Sequence, residues 1–111
     1  MAQNFQRTLN RNITLLASPQ ELRASTSTND AIIGIRCTNT SGSSVDVTVS
    51  VKNTSVNYYI IKAAPIPTGG SLELIDGGSK VVLQTGDSVE AYASAATSVD
   101  IVLSVVDSIS T

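Results

Sequence analysis

The stretch Val45 to Val51 reads Val-Asp-Val-Thr-Val-Ser-Val, and strict alternation of this kind suits only a strand. A period of two sets Val45, Val47, Val49 and Val51 on one face and Asp46, Thr48 and Ser50 on the other. A helix would scatter the same valines around its circumference. The pattern recurs along the chain. In Val99 to Val106, the residues Val99, Ile101, Leu103 and Val105 share a face, opposite Asp100, Val102, Ser104 and Val106. The second face is partly apolar, so this strand is expected in the middle of a sheet or at a subunit contact. Ala31 to Cys37 alternates too, grouping Ala31, Ile33, Ile35 and Cys37. Val56 to Ala64 carries adjacent tyrosines that must point to opposite faces, Tyr58 with Ile60 and Tyr59 with Ile61. One of the two is expected to be exposed, at an interface or over the rim of the fold, since tyrosine is amphipathic. Ser71 to Ile75, Lys80 to Gln84 and Ser88 to Ser94 complete the series.

Turn chemistry separates these segments. Asn39 to Ser44 joins two strands, and Asn53-Thr54-Ser55 is a tight polar link. Pro65 and Pro67 lack ladder donors, which excludes a central strand there. Asp76-Gly77-Gly78 and Thr85-Gly86-Asp87 supply the positive φ of short turns. Strands spaced every 8–12 residues or so predict an all-β, antiparallel β-sandwich, immunoglobulin-like or jelly-roll, the strand order being open.

The leader reads differently. Ile13 to Ala17 is a candidate first strand. Ser18-Pro19-Gln20-Glu21 fits a capping box with Pro at the first helical position. Only Leu22 comes after it before a polar run, so one helical turn is the most it supports. Met1 to Asn10 has two apolar anchors, Phe5 and Leu9. All four arginines (Arg7, Arg11, Arg23, Arg36) fall in the first 36 residues, against Glu21 and Asp30, for a balance of +2. The rest carries three lysines against seven acids, for −4. The division expected is residues 1–30, an extended N-terminal arm with a first strand that docks on a partner, and residues 31–111, the sandwich.

Composition bounds the function. At 111 residues the chain makes one domain, with 28 Ser and Thr in total and only 14% charged residues. There is no His, so imidazole chemistry is absent, and Cys37 alone makes neither an intrachain disulfide nor a structural zinc site. Cys37 is expected to be a buried, inert thiol. A net charge of −2 argues against nucleic acid as a partner, and no apolar run reaches the roughly 20 residues of a membrane span. Met1 to Arg11 has no apolar signal core, which predicts a chain made and kept in a cytoplasm. Glu73, Asp76 and Asp87 could be pictured as a Ca²⁺ cluster, but their spacing matches no Ca²⁺ loop. Asp46 and Asp100 could be pictured as a glycosidase pair, but only four aromatics (Phe5, Tyr58, Tyr59, Tyr92) are present to line a cleft. The sequons at Asn12, Asn39 and Asn53 are accounted for by Ser/Thr abundance. No enzyme, no cofactor and no metal are expected.

The run Tyr58-Tyr59-Ile60-Ile61-Lys62-Ala63-Ala64-Pro65-Ile66-Pro67, then Gly70-Ser71-Leu72-Glu73-Leu74, then Val82-Leu83-Gln84-Thr85-Gly86-Asp87-Ser88-Val89 resembles small virion structural proteins of tailed bacteriophages. The resemblance spans about Ala31 to the C-terminus and leaves residues 1–30 outside it. It implies an all-β part of the particle, located in the virion, with a capsid decoration or cement protein as the leading expectation. The partners implied are the major capsid protein or other virion proteins and further copies of the chain, as a trimer or dimer. Phe5, Arg7, Leu9, Arg11, Tyr58 and Tyr59 are the expected contacts. The alternatives are a tail, neck or fibre component, and a carbohydrate-binding host-attachment module using Tyr58, Tyr59 and Tyr92.

Overall fold

The computed structural model describes residues 4–11, 13, 19–24, 29–75, 81–95 and 98–107, the side chains of 4, 5 and 107 excepted. Among these residues nine strands run in chain order: β1 (Asn4–Asn10), β2 (Gln20–Ala24), β3 (Asp30–Asn39), β4 (Val45–Asn53), β5 (Val56–Ile66), β6 (Ser71–Glu73), β7 (Val81–Leu83), β8 (Ser88–Ala93) and β9 (Val99–Asp107). They form two antiparallel sheets. The first runs β1-β9-β3-β6, with β7 also beside β3, and the second runs β2-β8-β4-β5. Apart from the β4–β5 hairpin and the β6–β7 pair, successive strands alternate between the sheets. First and last strands are neighbours, and β6 and β7 together fill one edge position. This is the wrap of a jelly roll, and it settles the choice between the two sandwiches.

The valine face of β4 lies inward as its period requires. Val45, Val47 and Val49 are buried and Val51 is half-buried. Facing them from the other sheet are Val99, Ile101, Leu103 and Val105 of β9 with Ile32, Ile35 and Cys37 of β3. At about 25 cal/mol per Å² of apolar surface removed from water, these side chains supply the main force holding the two layers together. Thr48 and Ser50 are also buried, although they face outward, because the side chains of β5 and β8 close over them. Their hydroxyls are used: Thr48 Oγ accepts from Ala63 N at 2.9 Å, and Ser50 Oγ accepts from Asn57 Nδ2 at 2.9 Å.

The described part of residues 1–30 lies at the edges of the two sheets. β1 pairs with β9 along its whole length, and β2 pairs with β8. Without them β9 and β8 would present bare rows of N–H and C=O groups, which is the condition sheet edges avoid. Gln20–Ala24 is a strand and not a helical turn. A helix with Leu22 as its one apolar residue would bury almost nothing, whereas the strand seats Leu22 in the core. The alternation in β3 and β5 is broken by bulges. An extra residue at Ile33 sends Ile32 inward and leaves Ile33 outside, so Ala31, Ile33, Ile35 and Cys37 do not share a face. A second bulge at Ile60 places Tyr59 opposite Ser50 and Ile61 opposite Val49, on opposite faces. The expected strand Ile13 to Ala17 and the turn at Asp76 lie almost wholly outside the described residues. Ile13 itself is buried and donates its N–H to Val99 O at 2.8 Å.

The turns explain several residue choices. Thr54 and Ser55 form the two-residue β4–β5 turn with φ of 49° and 65°, the left-handed pair of a type I′ hairpin. Gly69, at φ 72°, occupies the third position of a turn closed by Gly70 N to Pro67 O at 2.9 Å. A side chain there would strain the backbone.

Candidate binding surfaces

The outer face of the first sheet collects apolar side chains in rows across the strands. Leu9 lies opposite Val102, which lies opposite Arg36, which lies opposite Glu73. A second row runs Val106, Ala31, Val82, and a third runs Arg7, Ser104, Gly34. Leu9, Val82 and Val102 expose 57%, 51% and 41% of their surface, and the bulged Ile33 is exposed beside them. The placement of β9 between β1 and β3 makes this a central strand with an apolar outer side.

Charge on this face is uneven. Arg36 meets Glu73 at 3.3 Å, with Glu73 also accepting from Ile35 N at 3.1 Å. Arg23 is drawn into the fold by Asp30: its Nε lies 3.0 Å from Asp30 Oδ2, and its Nη1 donates to Gln6 Oε1 at 3.4 Å. That pair links β2 of the second sheet to β3 and β1 of the first. Arg7 and Arg11 are exposed and make no ion pair among the described residues. Of the contact residues expected from the sequence, Arg7 and Leu9 therefore stand at outward positions of β1, in which the Phe5 backbone pairs with Val106. Arg11 lies just past its end.

The tyrosines go elsewhere. Tyr58 and Tyr59 are exposed by 60% and 50%, so both are open where one was expected. β5 is a sheet edge, and its N-terminal half has no neighbour among the described residues on its far side to cover either ring. Tyr58 stands opposite Val51 on the inner-facing register, at the mouth between the sheets, while Tyr59 faces out. The outer face of the second sheet holds an open depression of about 80 Å³ lined by Pro19, Ser50, Asn57, Tyr59, Glu90 and Tyr92. Asn57 Nδ2 donates to Ser50 Oγ and to Glu90 Oε1 at 3.1 Å, and Lys52 Nζ lies 3.5 Å from Glu90 Oε2. Lys62 Nζ sits 4.8 Å from the centroid of the Tyr59 ring.

The chemistry-bearing residues weighed from the sequence are dispersed. Asp46 faces out from β4 and Asp100 faces out from β9, on opposite sides of the sandwich. Sheets pack about 10 Å apart, so these carboxylates cannot reach the spacing of a glycosidase pair. Glu73 is occupied by Arg36 and Ile35 N. Asp87 accepts from Gln84 N at 3.0 Å and from Asn53 Nδ2 at 2.6 Å. Among the described residues no three His, Cys, Asp or Glu side chains come together as a metal site. Cys37 is buried in the core, and burial, with a further push from the Glu73 carboxylate, raises its thiol to about 12. Asn39, one of the three sequon asparagines, is buried. Its amide donates to Ser43 O and Ile66 O and accepts from Ser41, so it serves the loop.

No protein-family model matches the chain, and no curated protein matches it in sequence. Among solved structures it is similar to the nucleoplasmin-like N-terminal domain of Drosophila FKBP39, with a TM-score of 0.51 and 11% identity, over 98% of this chain and 93% of that one. At that identity the likeness shows the two-layer β fold and nothing further.

Proposed function

We propose that this chain is a structural part of a tailed-bacteriophage virion, a decoration or cement protein that lies on the head shell through the outer face of its first sheet. The observation that carries the reading is the row of exposed Leu9 and Val102, with Val82 and Ile33 nearby and, between the apolar rows, Arg7, which makes no ion pair among the described residues. An exposed apolar patch rimmed by charge is what a protein partner covers. The complementary surface on the major capsid protein would be apolar with carboxylates at its rim. The resemblance of residues 31–111 to small virion proteins supplies the particle, and the dispersal of the acidic residues favours contact over catalysis. Repetition over a lattice multiplies a modest contact into stable occupancy.

The test is binding of recombinant protein to expanded capsids of the phage that encodes it. Leu9→Glu with Val102→Glu places two charges in the middle of the patch at exposed positions, which leaves the fold intact. Occupancy should fall by about tenfold or more. Unchanged binding would refute the docking face. Truncating residues 1–11 is a poorer test, because it strips β1 and bares the edge of β9. Copy number in purified particles separates the head from the tail: hundreds of copies indicate the shell, and a few to some dozens indicate a tail, neck or fibre position.

A further inference from the structure

The depression on the outer face of the second sheet, on the side away from the docking face, is built unlike the rest of the surface. Its floor is the Tyr59–Ser50–Glu90 row, which crosses β5, β4 and β8. Tyr92 stands one row further along β8, opposite Thr48, so the two tyrosines rise from strands two spacings apart, roughly 10 Å. Between them lies polar floor. Ser50 is buried, Glu90 is largely covered, and Asn57 ties the two together through its amide. Neither tyrosine hydroxyl has a hydrogen-bond partner among the described residues, and neither has Asn57 Oδ1.

We propose that this depression is a subsite for one neutral pyranose ring of a glycan. A sugar has an apolar C–H face and a rim of hydroxyls that both donate and accept. Tyr59 and Tyr92 offer aromatic walls for the first. Asn57 Oδ1, the Glu90 carboxylate and the two phenol hydroxyls offer acceptors and donors for the second. Lys62 over one face of Tyr59 holds that ring in place and leaves its other face for a ligand. The charges around the depression balance, Lys52 and Lys62 against Glu90 and the neighbouring Glu21, which favours a neutral ring over an ion. The volume, about 80 Å³ and open, is well below the roughly 300–1,000 Å³ of a pocket enclosing a drug-sized molecule, so a single ring seats here. Affinity for one ring is in the millimolar range, and useful attachment comes from many copies acting together. This site shares no residue with the docking face, so either can fail without the other.

The experiment is a ¹⁵N–¹H NMR titration of the full chain with the methyl glycosides of glucose, galactose, mannose and N-acetylglucosamine, alongside glucuronate, sulfate and adenosine. The result expected is saturable shifts from at least one neutral glycoside, centred on the amides of Ser50, Asn57, Tyr59, Glu90 and Tyr92. Tyr59→Ala and Tyr92→Ala should each weaken binding about tenfold, Tyr92→Phe should weaken it by less than Tyr92→Ala because it keeps the ring and loses only the hydroxyl, and Tyr58→Ala should leave it unchanged. The spectrum of each variant reports its fold directly, and Tyr92→Phe keeps the site testable if Tyr92→Ala does not fold. The proposal is overturned if no neutral glycoside gives saturable shifts. It is equally overturned if binding survives Tyr59→Ala, or if glucuronate, sulfate or adenosine binds more tightly than every neutral sugar.

Discussion

Replacing Asn39 by Ala should unfold this domain at markedly lower temperature, although the side chain touches no binding surface. Asn39 is 1% exposed at the end of β3 and makes four hydrogen bonds. Its Nδ2 donates to Ser43 O at 2.7 Å and to Ile66 O at 2.9 Å. Its Oδ1 accepts from Ser41 N at 2.9 Å and Ser41 Oγ at 2.7 Å. The side chain thus fastens the β3–β4 loop of one layer to the end of β5 in the other. A net hydrogen bond contributes about 1 kcal/mol, and a buried group left without a partner costs about 1–3 kcal/mol. Neither carbonyl is wholly abandoned, since Ser44 Oγ reaches Ile66 O at 3.4 Å and Ser41 Oγ reaches Ser43 O at 2.9 Å. The cost is then about 3 kcal/mol, a large part of the roughly 5–15 kcal/mol typical of a domain. It corresponds to a fall in Tm of roughly 10–20 °C. Urea unfolding followed by circular dichroism measures it, with an unchanged m-value expected. Asn39→Asp provides the sign check, because a carboxylate in that position faces two carbonyl oxygens and should cost more than Ala. A loss below about 1 kcal/mol for Ala, or a milder effect of Asp than of Ala, would refute the reasoning.

Four further outcomes follow from the structure. Cys37 should resist alkylation in the native state at pH 8, with about a thousandfold less thiolate than an ordinary thiol of 9.0, and react fast once urea opens the core. Because its folded value is raised to about 12, the stability it contributes is intact below pH 9 and is lost as pH rises from 9 to 12, by as much as about 4 kcal/mol; Cys37→Ala should flatten that alkaline decline in a denaturation series. Thr54→Asn with Ser55→Gly should stabilise the hairpin by about 1 kcal/mol, since both positions are left-handed and Thr is β-branched; a Tm that does not rise would count against the type I′ assignment. Asp30→Asn should cost about 2–3 kcal/mol in thermal unfolding, because it leaves the largely covered Arg23 guanidinium facing a neutral amide, and a cost under about 0.5 kcal/mol would mean the bridge between the layers is idle.

The strands were legible because period two is a local signal. Val45 to Val51 and Val99 to Val106 declare their buried faces without reference to any other part of the chain. The leader was harder to read. Ser18-Pro19-Gln20-Glu21 satisfies a helix-start pattern, but local propensity is worth tenths of a kcal/mol and the open edge of β8 outweighs it. Likewise the sparse apolar and basic character of the leader marked Arg7 and Leu9 for attention, yet not as one face of an edge strand. The polar members of the depression beside Tyr59, Asn57, Ser50 and Glu90, gave no signal. They come from three strands and meet only through the register of the second sheet.

The amino-acid order by itself determined the strands from β3 to β9, the absence of imidazole chemistry and the positions where the chain must turn. Which strands are neighbours, and which side chains face out beside a bulge, depended on contacts between residues far apart in sequence. Ile33 and Tyr59 show the reason: one extra residue in a strand reverses the facing of every later side chain in it, and only the partner strand's hydrogen bonds decide where that residue goes.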